Sequence, residues 1–427
     1  MTKELVALLA GNEVGRVRQD ERGQLSFRYD RAWREADDAY PLSLSMSLAT
    51  EDHGTKIVEA FLWGLLPDNE FVLERWARKY QVSARNPFAL LSHVGEDCAG
   101  AVQFVLLERL EAVKGGAHDR IEWLNEPAIA ERLRLLKEDH AAWRLPRDTG
   151  QFSLAGAQPK TALLFQNERW GVPSGRVPTT HILKPPTGRF DGHAENEHVC
   201  LLLARALGLP TATSHVMRFE GEIAIVIERY DRLCSGKEII RVHQEDTCQA
   251  LGIMPTRKYQ NEGGPGVVEV VDLLRTHSSE RGEDVATFVN SVAFHWLIAG
   301  TDAHAKNYSL LLTAGPRVRL APLYDIASVL PYGEIDPHKM KLSMKIGGEY
   351  LVRQIGPRHW QKFAREVRID ADELLETLRA MGQRLPDEVN RVRQIVHEEG
   401  LDLAVVDRLA AALIERAKEC EGLFTGH

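Results

Sequence analysis

The sequence predicts an α+β protein of two lobes, with a small N-terminal β subdomain ahead of them and a mainly helical C-terminal lobe. Three observations predict it. Short apolar runs broken by Asn, Gly and Pro turns fill residues 1–50 and 150–232. Runs with helical spacing dominate beyond 232. Between the two β-rich stretches lies a charged segment, 116–149, with no recognisable chemistry.

In order, LVALLA, VGRVRQ and QLSFRY read as strands separated by turns at Gly11-Asn12 and Arg22-Gly23. Residues 55–93 become helical, with Val58, Phe61, Leu62 and Leu65 spaced for one buried face, and AVQFVLL is a strand. A subdomain over 1–110 and a connector over 111–149 follow. FSLAG, a break, and TALLF read as strand–loop–strand; THILKPP is a strand stopped by two prolines. ENEHVCLLLARALGL is a helix with acid in its first turn and Gly208 near its end. SHVMRF and IAIVIERY flank Glu220-Gly221 as a hairpin, completing a β-rich lobe over 150–232. Over 233–427 the expected helices are QEDTCQAL, VVEVVDLLRT, DVATFVNSVAFHWLIAG and most of 358–427.

A chain of 427 residues with net charge −8 is not built as a whole to bind nucleic acid, so any basic surface must be local. Its five cysteines, Cys98, Cys200, Cys234, Cys248 and Cys420, show neither zinc spacing nor a disulfide framework and fit a reducing compartment. No apolar run approaches the ~18 residues of a spanning helix. The expected location is cytoplasmic, away from the membrane.

The sharpest chemical signal is G300-TDAHAKN-YSLLL. The preceding helix sets Phe288, Val292 and Trp296 on one face, and Gly300 can end it. Asp302 and Asn307 then sit in a polar loop before a strand, and a second strand, RLAPLYD, ends at Asp325. This is what phosphoryl transfer to a hydroxyl requires: one Asp to orient or accept the substrate proton, an Asn and a later Asp to hold Mg²⁺ on the phosphates. The spacing equals that of the protein-kinase catalytic loop. His-Arg-Asp is absent, however, and Tyr324-Asp325-Ile326 replaces Asp-Phe-Gly.

Lys184, ending an apolar strand, is placed to meet phosphate, with Glu195 or Glu197 of the next helix as its partner. FSLAGAQPKT (152–161) resembles a phosphate-cradling loop: small residues let backbone N–H groups approach an anion and Lys160 adds charge. Leu154 and Pro159 rule out a Walker A motif. IAIVIERY suits a hinge between the lobes, with Glu228, Arg229 and Tyr230 bordering the adenine.

Nine collinear motifs carry a family resemblance: PLSLS (41–45), LLPD (65–68), FSLAGAQPK (152–160), THILK (180–184), ENE (195–197), IERYDR (227–232), QED (244–246), GTDAHAKN (300–307) and LYDI (323–326). Together the chain resembles the HipA family of toxin kinases. The resemblance implies a two-lobed, protein-kinase-like fold with a small N-terminal β subdomain, and it implies that Asp302 is catalytic and that Asn307 and Asp325 bind Mg²⁺. It implies an ATP site lined by Ala155, Gly156, Ala157, Gln158, Pro159, Lys160, Lys184, Glu228, Arg229, Tyr230, His304, Ala305, Lys306, Asn307, Tyr324 and Asp325. It casts Ser153 as an autophosphorylated serine whose phosphate ejects the loop and silences the kinase. It further implies a protein substrate, an aminoacyl-tRNA synthetase such as the glutamyl enzyme, and a helix-turn-helix antitoxin, HipB, on operator DNA. Pro159 departs from the family, whose members often carry a charged residue there.

Residues 339–368 hold eight basic residues against Glu349 and Glu366, a local +6 in an acidic chain. Lys362, Arg365 and Arg368, three apart, would share part of a helix face. This reads either as a solvated surface or as DNA contact beside the antitoxin, and the resemblance puts DNA contact at Arg365 and Arg368. A small-molecule kinase on a related fold uses the same Asp/Asn/Asp logic, and a DNA-bound corepressor with a degenerate kinase site is the non-enzyme alternative.

Overall fold

The computed structural model describes residues 3–145, 148, 152–186, 192–235, 238–315, 317–401 and 403–424. Two units result, each built from three stretches of chain: Met1–Pro185, Arg218–Thr256 and Ser309–Ala321 in the first, Pro186–Met217, Arg257–Tyr308 and Pro322–His427 in the second.

The first unit is mostly sheet. An antiparallel five-stranded sheet runs Asp52–His53, Leu25–Tyr29, Asn12–Gln19, Lys3–Leu9, Val102–Leu106. Lys3–Leu9, flanked by Asn12–Gln19 and Val102–Leu106, is buried from Leu5 to Leu9, as an interior strand covered on both faces must be. The helices Thr55–Gly64, Glu70–Tyr80 and Pro87–Val94 follow, the second and third opened by Asn69 and Asn86 side chains that accept from first-turn N–H groups. A second sheet carries, in order, Glu222–Glu228, His181–Lys184, Thr161–Gln166, Arg169–Ser174 and Arg120–Leu124. The charged segment read as a connector thus supplies a sheet strand, paired with Arg169–Ser174, and the helix Glu126–Glu138. Glu220 and Gly221 both take positive φ (47° and 89°), as a two-residue hairpin turn requires.

Two expectations need correction here. QED does not open a helix: His243–Asp246 is a strand paired with Ser309–Thr313, and only Thr247–Ala250 is helical, capped by Asp246. The reason is tertiary. In the strand, buried Glu245 reaches PLSLS, where Ser43 Oγ and Leu44 N donate to its carboxyl at 2.5 and 2.7 Å. RLAPLYD leaves the sheet at Leu320, since Pro322 has no N–H for the ladder, and Leu323 pairs with Thr211 instead.

The second unit is helical: His193–Ala206, Val267–His277, Arg281–Leu297, Pro357–Glu366, Ala371–Glu398 and Leu403–Phe424, with one hairpin of Lys341–Ile346 and Glu349–Leu351. Trp296, Trp360 and Phe363 pack edge-on in its core, fully buried. Trp296 satisfies its indole N–H on Val352 O at 3.1 Å.

Candidate active site

In the second unit, Arg281–Leu297 stops where Ala299 turns left-handed (φ 49°) and the Gly300 N–H closes on His295 O at 2.7 Å. Ala299, rather than Gly300, therefore makes the helix stop. Gly300 is needed for close approach, since a Cβ there would meet His295 Nδ1 at 2.5 Å. Asn307 closes the loop that follows. Its N–H donates to His304 O (2.9 Å) and its Nδ2 to Asp302 O (2.8 Å). Among the described residues its Oδ1 accepts no hydrogen bond, which leaves an oxygen suited to a hard cation. His304, Ala305 and Lys306 are buried around it.

Asp302 is exposed at the loop's start. The surrounding protein still dehydrates its carboxyl enough to raise its pKa, against a hydrogen bond from Tyr259, and the Asp325 charge raises it further. Asp325 itself is left-handed (φ 57°), a conformation that costs an aspartate energy and must be held from outside. Both sides hold it. Ahead of it, Leu323 N donates to Pro210 O and Ala212 N to Leu323 O, each at 2.8 Å, and Tyr324 Oη donates to Lys306 O at 2.7 Å. Behind it, Ser328 Oγ donates to Ile298 O at 2.6 Å. The second unit thus brings Asp302, His304 to Asn307, Tyr324 and Asp325 onto one set of hydrogen-bonded loops.

The first unit holds the other expected residues. FSLAG is not a strand. Instead, residues 153–157 lie against LLPD: Ser153 Oγ donates to Leu65 O (2.7 Å), Asp68 N to Gly156 O (3.0 Å) and Asn69 Nδ2 to Ala157 O (3.4 Å). Ser153 is fully buried, and its N–H donates to Asp97 O at 2.8 Å. Gly156 has φ 97°, and a Cβ there would crowd Lys160 Nζ at 2.7 Å. Lys160 donates to Ala155 O at 2.6 Å and lies 5.2 Å above the Trp143 ring. Gln158 and Pro159 complete the turn into Thr161, which pairs with Leu183. That register brings the Lys160 and Lys184 ends of two neighbouring strands to the same end of the sheet. Lys184 is buried and paired across the sheet with Ile225.

Glu228 is exposed where the neighbouring strand ends. Tyr230 Oη donates to Gln244 Oε1. Arg229 is committed elsewhere: its guanidinium donates to Asp231 (3.0 and 2.9 Å), Thr179 Oγ1 (2.9 Å) and Cys98 O (2.8 Å). Arg232 and Arg241 join it around Asp97. Burial would raise the Asp231 carboxyl, but Arg229 and Arg232 outweigh it and hold Asp231 well below the ordinary range. Arg229 thus builds the turn beneath its neighbours. Arg365 and Arg368 are both exposed, but the helix ends at Glu366. Arg368 is left-handed (φ 54°) beyond the cap and lies 3.5 Å from Asp272, so the expected basic stripe is not one helix face.

Sequence reasoning missed Tyr259, whose Oη donates to Asp302 Oδ1 at 2.8 Å from 43 positions away, on a loop without periodicity. It missed Asn196 of ENE, passing over it for the flanking glutamates. It also gave LLPD and PLSLS no physical task.

Comparison with known proteins shows the family. A family model described as the HipA-like C-terminal domain matches residues 152–389, and one described as the HipA N-terminal domain matches 5–105. The chain is 34% identical over 414 residues to "Putative kinase Y4mE" of Sinorhizobium fredii, covering 96% of each. It is 28% identical over 394 residues to the serine/threonine-protein kinase toxin HipA of Shewanella oneidensis, covering 87% of this chain and 86% of the other. The solved structure of Shewanella oneidensis HipA, determined with HipB and its operator DNA, matches at a TM-score of 0.84 over 98% of both chains, with 24% identity. The fold is therefore the kinase-like α+β fold of that structure, and the class of protein is a kinase. The chain belongs to the HipA family of kinase toxins.

Proposed function

We propose that this kinase transfers the γ-phosphate of Mg²⁺-bound ATP to a serine or threonine of a protein substrate, with Asp302 receiving the hydroxyl proton. The observation that carries the reading is Asn307. Its amide N–H group ties the catalytic loop to Asp302 O while its Oδ1 stays available, and Asp325, held left-handed, supplies a carboxylate in the same field. The donor set fits Mg²⁺, which takes one or two protein oxygens and completes its shell with phosphates and water. Bound Mg²⁺ would neutralise charge on the phosphates; orienting the acceptor hydroxyl falls to Asp302. Lys160, Lys184 and the backbone of 155–160 would hold phosphate, and Glu228 to Tyr230 would border the base. In this reading Ser153 is the autophosphorylation site, the protein substrate is an aminoacyl-tRNA synthetase, and the chain works in the cytoplasm. A helix-turn-helix antitoxin is its partner on operator DNA, as in the Shewanella complex.

The test is phosphate transfer from labelled ATP into bacterial lysate. Asp302→Asn, Asn307→Ala and Asp325→Asn should each stay folded and lose about 10²-fold or more in rate. Undiminished transfer by Asp325→Asn at limiting Mg²⁺ would sink the metal assignment. Label entering a sugar or antibiotic panel instead of protein would favour a small-molecule kinase.

A further inference from the structure

We infer that Tyr259 is a positioning residue for phosphoryl transfer: its hydroxyl fixes one oxygen of Asp302, leaving the other to the substrate. The inference rests on Asp302 being the catalytic carboxylate. Tyr259 Oη donates to Asp302 Oδ1 at 2.8 Å. A carboxylate on a short, exposed side chain can otherwise rotate about its last torsion, which is broad. A donor on Oδ1 selects the orientation in which Oδ2 is the free acceptor.

The donor is itself anchored. Lys258 O accepts from Ala305 N at 3.3 Å, so residues 258–259 grip the catalytic loop on both sides of His304. The Tyr259 ring meets the His304 ring edge-on, 5.0 Å apart at 84°. Tyr259 O accepts from Gly264 N at 2.9 Å, and the next residue, Gln260, accepts from Lys345 N through Oε1 at 2.7 Å. The tyrosine is thus fixed to the helical unit by bonds on either side of its ring.

In the step itself the substrate hydroxyl gives its proton to Asp302 as its oxygen bonds the γ-phosphorus, and ADP departs with the electron pair of the broken P–O bond. A carboxylate misaligned by rotation slows this step without touching nucleotide affinity. Tyr259 is only half-buried, so losing its hydroxyl removes orientation rather than core packing.

The experiment is transfer of labelled γ-phosphate from Mg²⁺-ATP into bacterial lysate protein by the full chain, with the melting temperature of the purified protein measured alongside. Tyr259→Phe is expected to lower kcat by roughly 10- to 100-fold, with KM for ATP and the melting temperature essentially unchanged. In an Asp302→Asn background the same change is expected to cost less than about 2-fold, because the group it orients is gone. Replacing Tyr259 with 4-aminophenylalanine, which keeps a donor at the ring tip, is expected to recover most of kcat. An unchanged kcat in Tyr259→Phe, a full additive loss on Asp302→Asn, or no recovery with the amino analogue overturns the inference. Full turnover by Asp302→Asn alone would instead overturn the catalytic assignment beneath it.

Discussion

Asn196 and Ser328 exchange two hydrogen bonds: Asn196 Nδ2 donates to Ser328 O at 2.7 Å, and Ser328 N donates to Asn196 Oδ1 at 3.1 Å. The amide is fully buried and also donates to Tyr332 Oη at 3.1 Å. One side chain of the His193–Ala206 helix therefore reads the backbone three residues beyond Asp325 as a strand partner would. Without it, the left-handed Asp325 loses an anchor on its C-terminal side.

Asn196→Ala should therefore destabilise by roughly 2–4 kcal/mol: three hydrogen bonds are lost, and the loss of the two to Ser328 strips its buried N–H and C=O of this partner. It should also weaken Mg²⁺-dependent nucleotide binding more than Mg²⁺-free binding, since the segment bearing Asp325 loosens. Urea unfolding and nucleotide titration with and without Mg²⁺ measure both. Equal loss in the two titrations would make Asn196 a general core residue only.

Much of this arrangement was legible in the sequence, for physical reasons that vary by residue. Asp302 and Asn307 stood out because polar residues are packed between an apolar helix and an apolar strand, and Asp325 because it ends the apolar run RLAPLYD. The first strands were readable because their turns carry Asn and Gly. Asn196 and Tyr259 were not readable: each acts on backbone or carboxylate over a hundred or several tens of positions away, and neither leaves a periodic trace. QED was misread as helical because its strand depends on distant partners, the Ser309–Thr313 strand and Ser43 on Glu245, and Arg368 was put on a helix that ends two residues earlier.

Glu245 makes stability depend on pH. Burial, and to a lesser degree Asp246, push its carboxyl up to about 8 despite the donors Ser43 and Leu44. The folded state thus keeps a proton that the unfolded chain releases near the ordinary 4.5. Its contribution is fully present below that value and is lost as pH rises through about 8. Each unit of raised pKa corresponds to about 1.4 kcal/mol, so the expected loss is a few kcal/mol. Glu245→Gln keeps an acceptor for Leu44 N and cannot ionise. Its urea midpoint should fall less than the wild type's between pH 6 and pH 9; parallel curves would refute the role.

Arg365 and Arg368 should differ on DNA. Both are exposed, but Arg365 projects from the Pro357–Glu366 helix while Arg368 is held near Asp272. In the complex with antitoxin and operator, Arg365→Ala should flatten the slope of log K against log salt by about 0.9 if it meets one phosphate. Arg368→Ala should flatten it less, and Asp272→Ala should release Arg368 and tighten binding. Operator titrations across a salt series decide this. Identical slopes in all four proteins would mean that this surface faces solvent.

Ser153 cannot accept a phosphate while its hydroxyl is shielded as it is in the arrangement described. Its hydroxyl is fully buried on Leu65 O, and its loop is tied down by Asp68 and Asn69. Phosphorylation there must wait for the loop to leave residues 65–69. A phosphate, adding about −1.5 to −2 charges, could not return to a position whose neighbours are backbone carbonyls. The modification should therefore be slow, limited by release, and self-sustaining once made. Asn69→Ala removes one tie on Ala157 and should speed phosphate entry at Ser153 several-fold, while Asp302→Asn should abolish it. Leu65 offers only its carbonyl, so Ser153→Ala should loosen the same loop without any phosphate and make 152–160 more open to protease. Mass spectrometry over a time course with Mg²⁺-ATP, paired with limited proteolysis, gives both readings. Phosphate entering Ser153 at the same rate in Asn69→Ala and wild type would show that loop release is not what limits it.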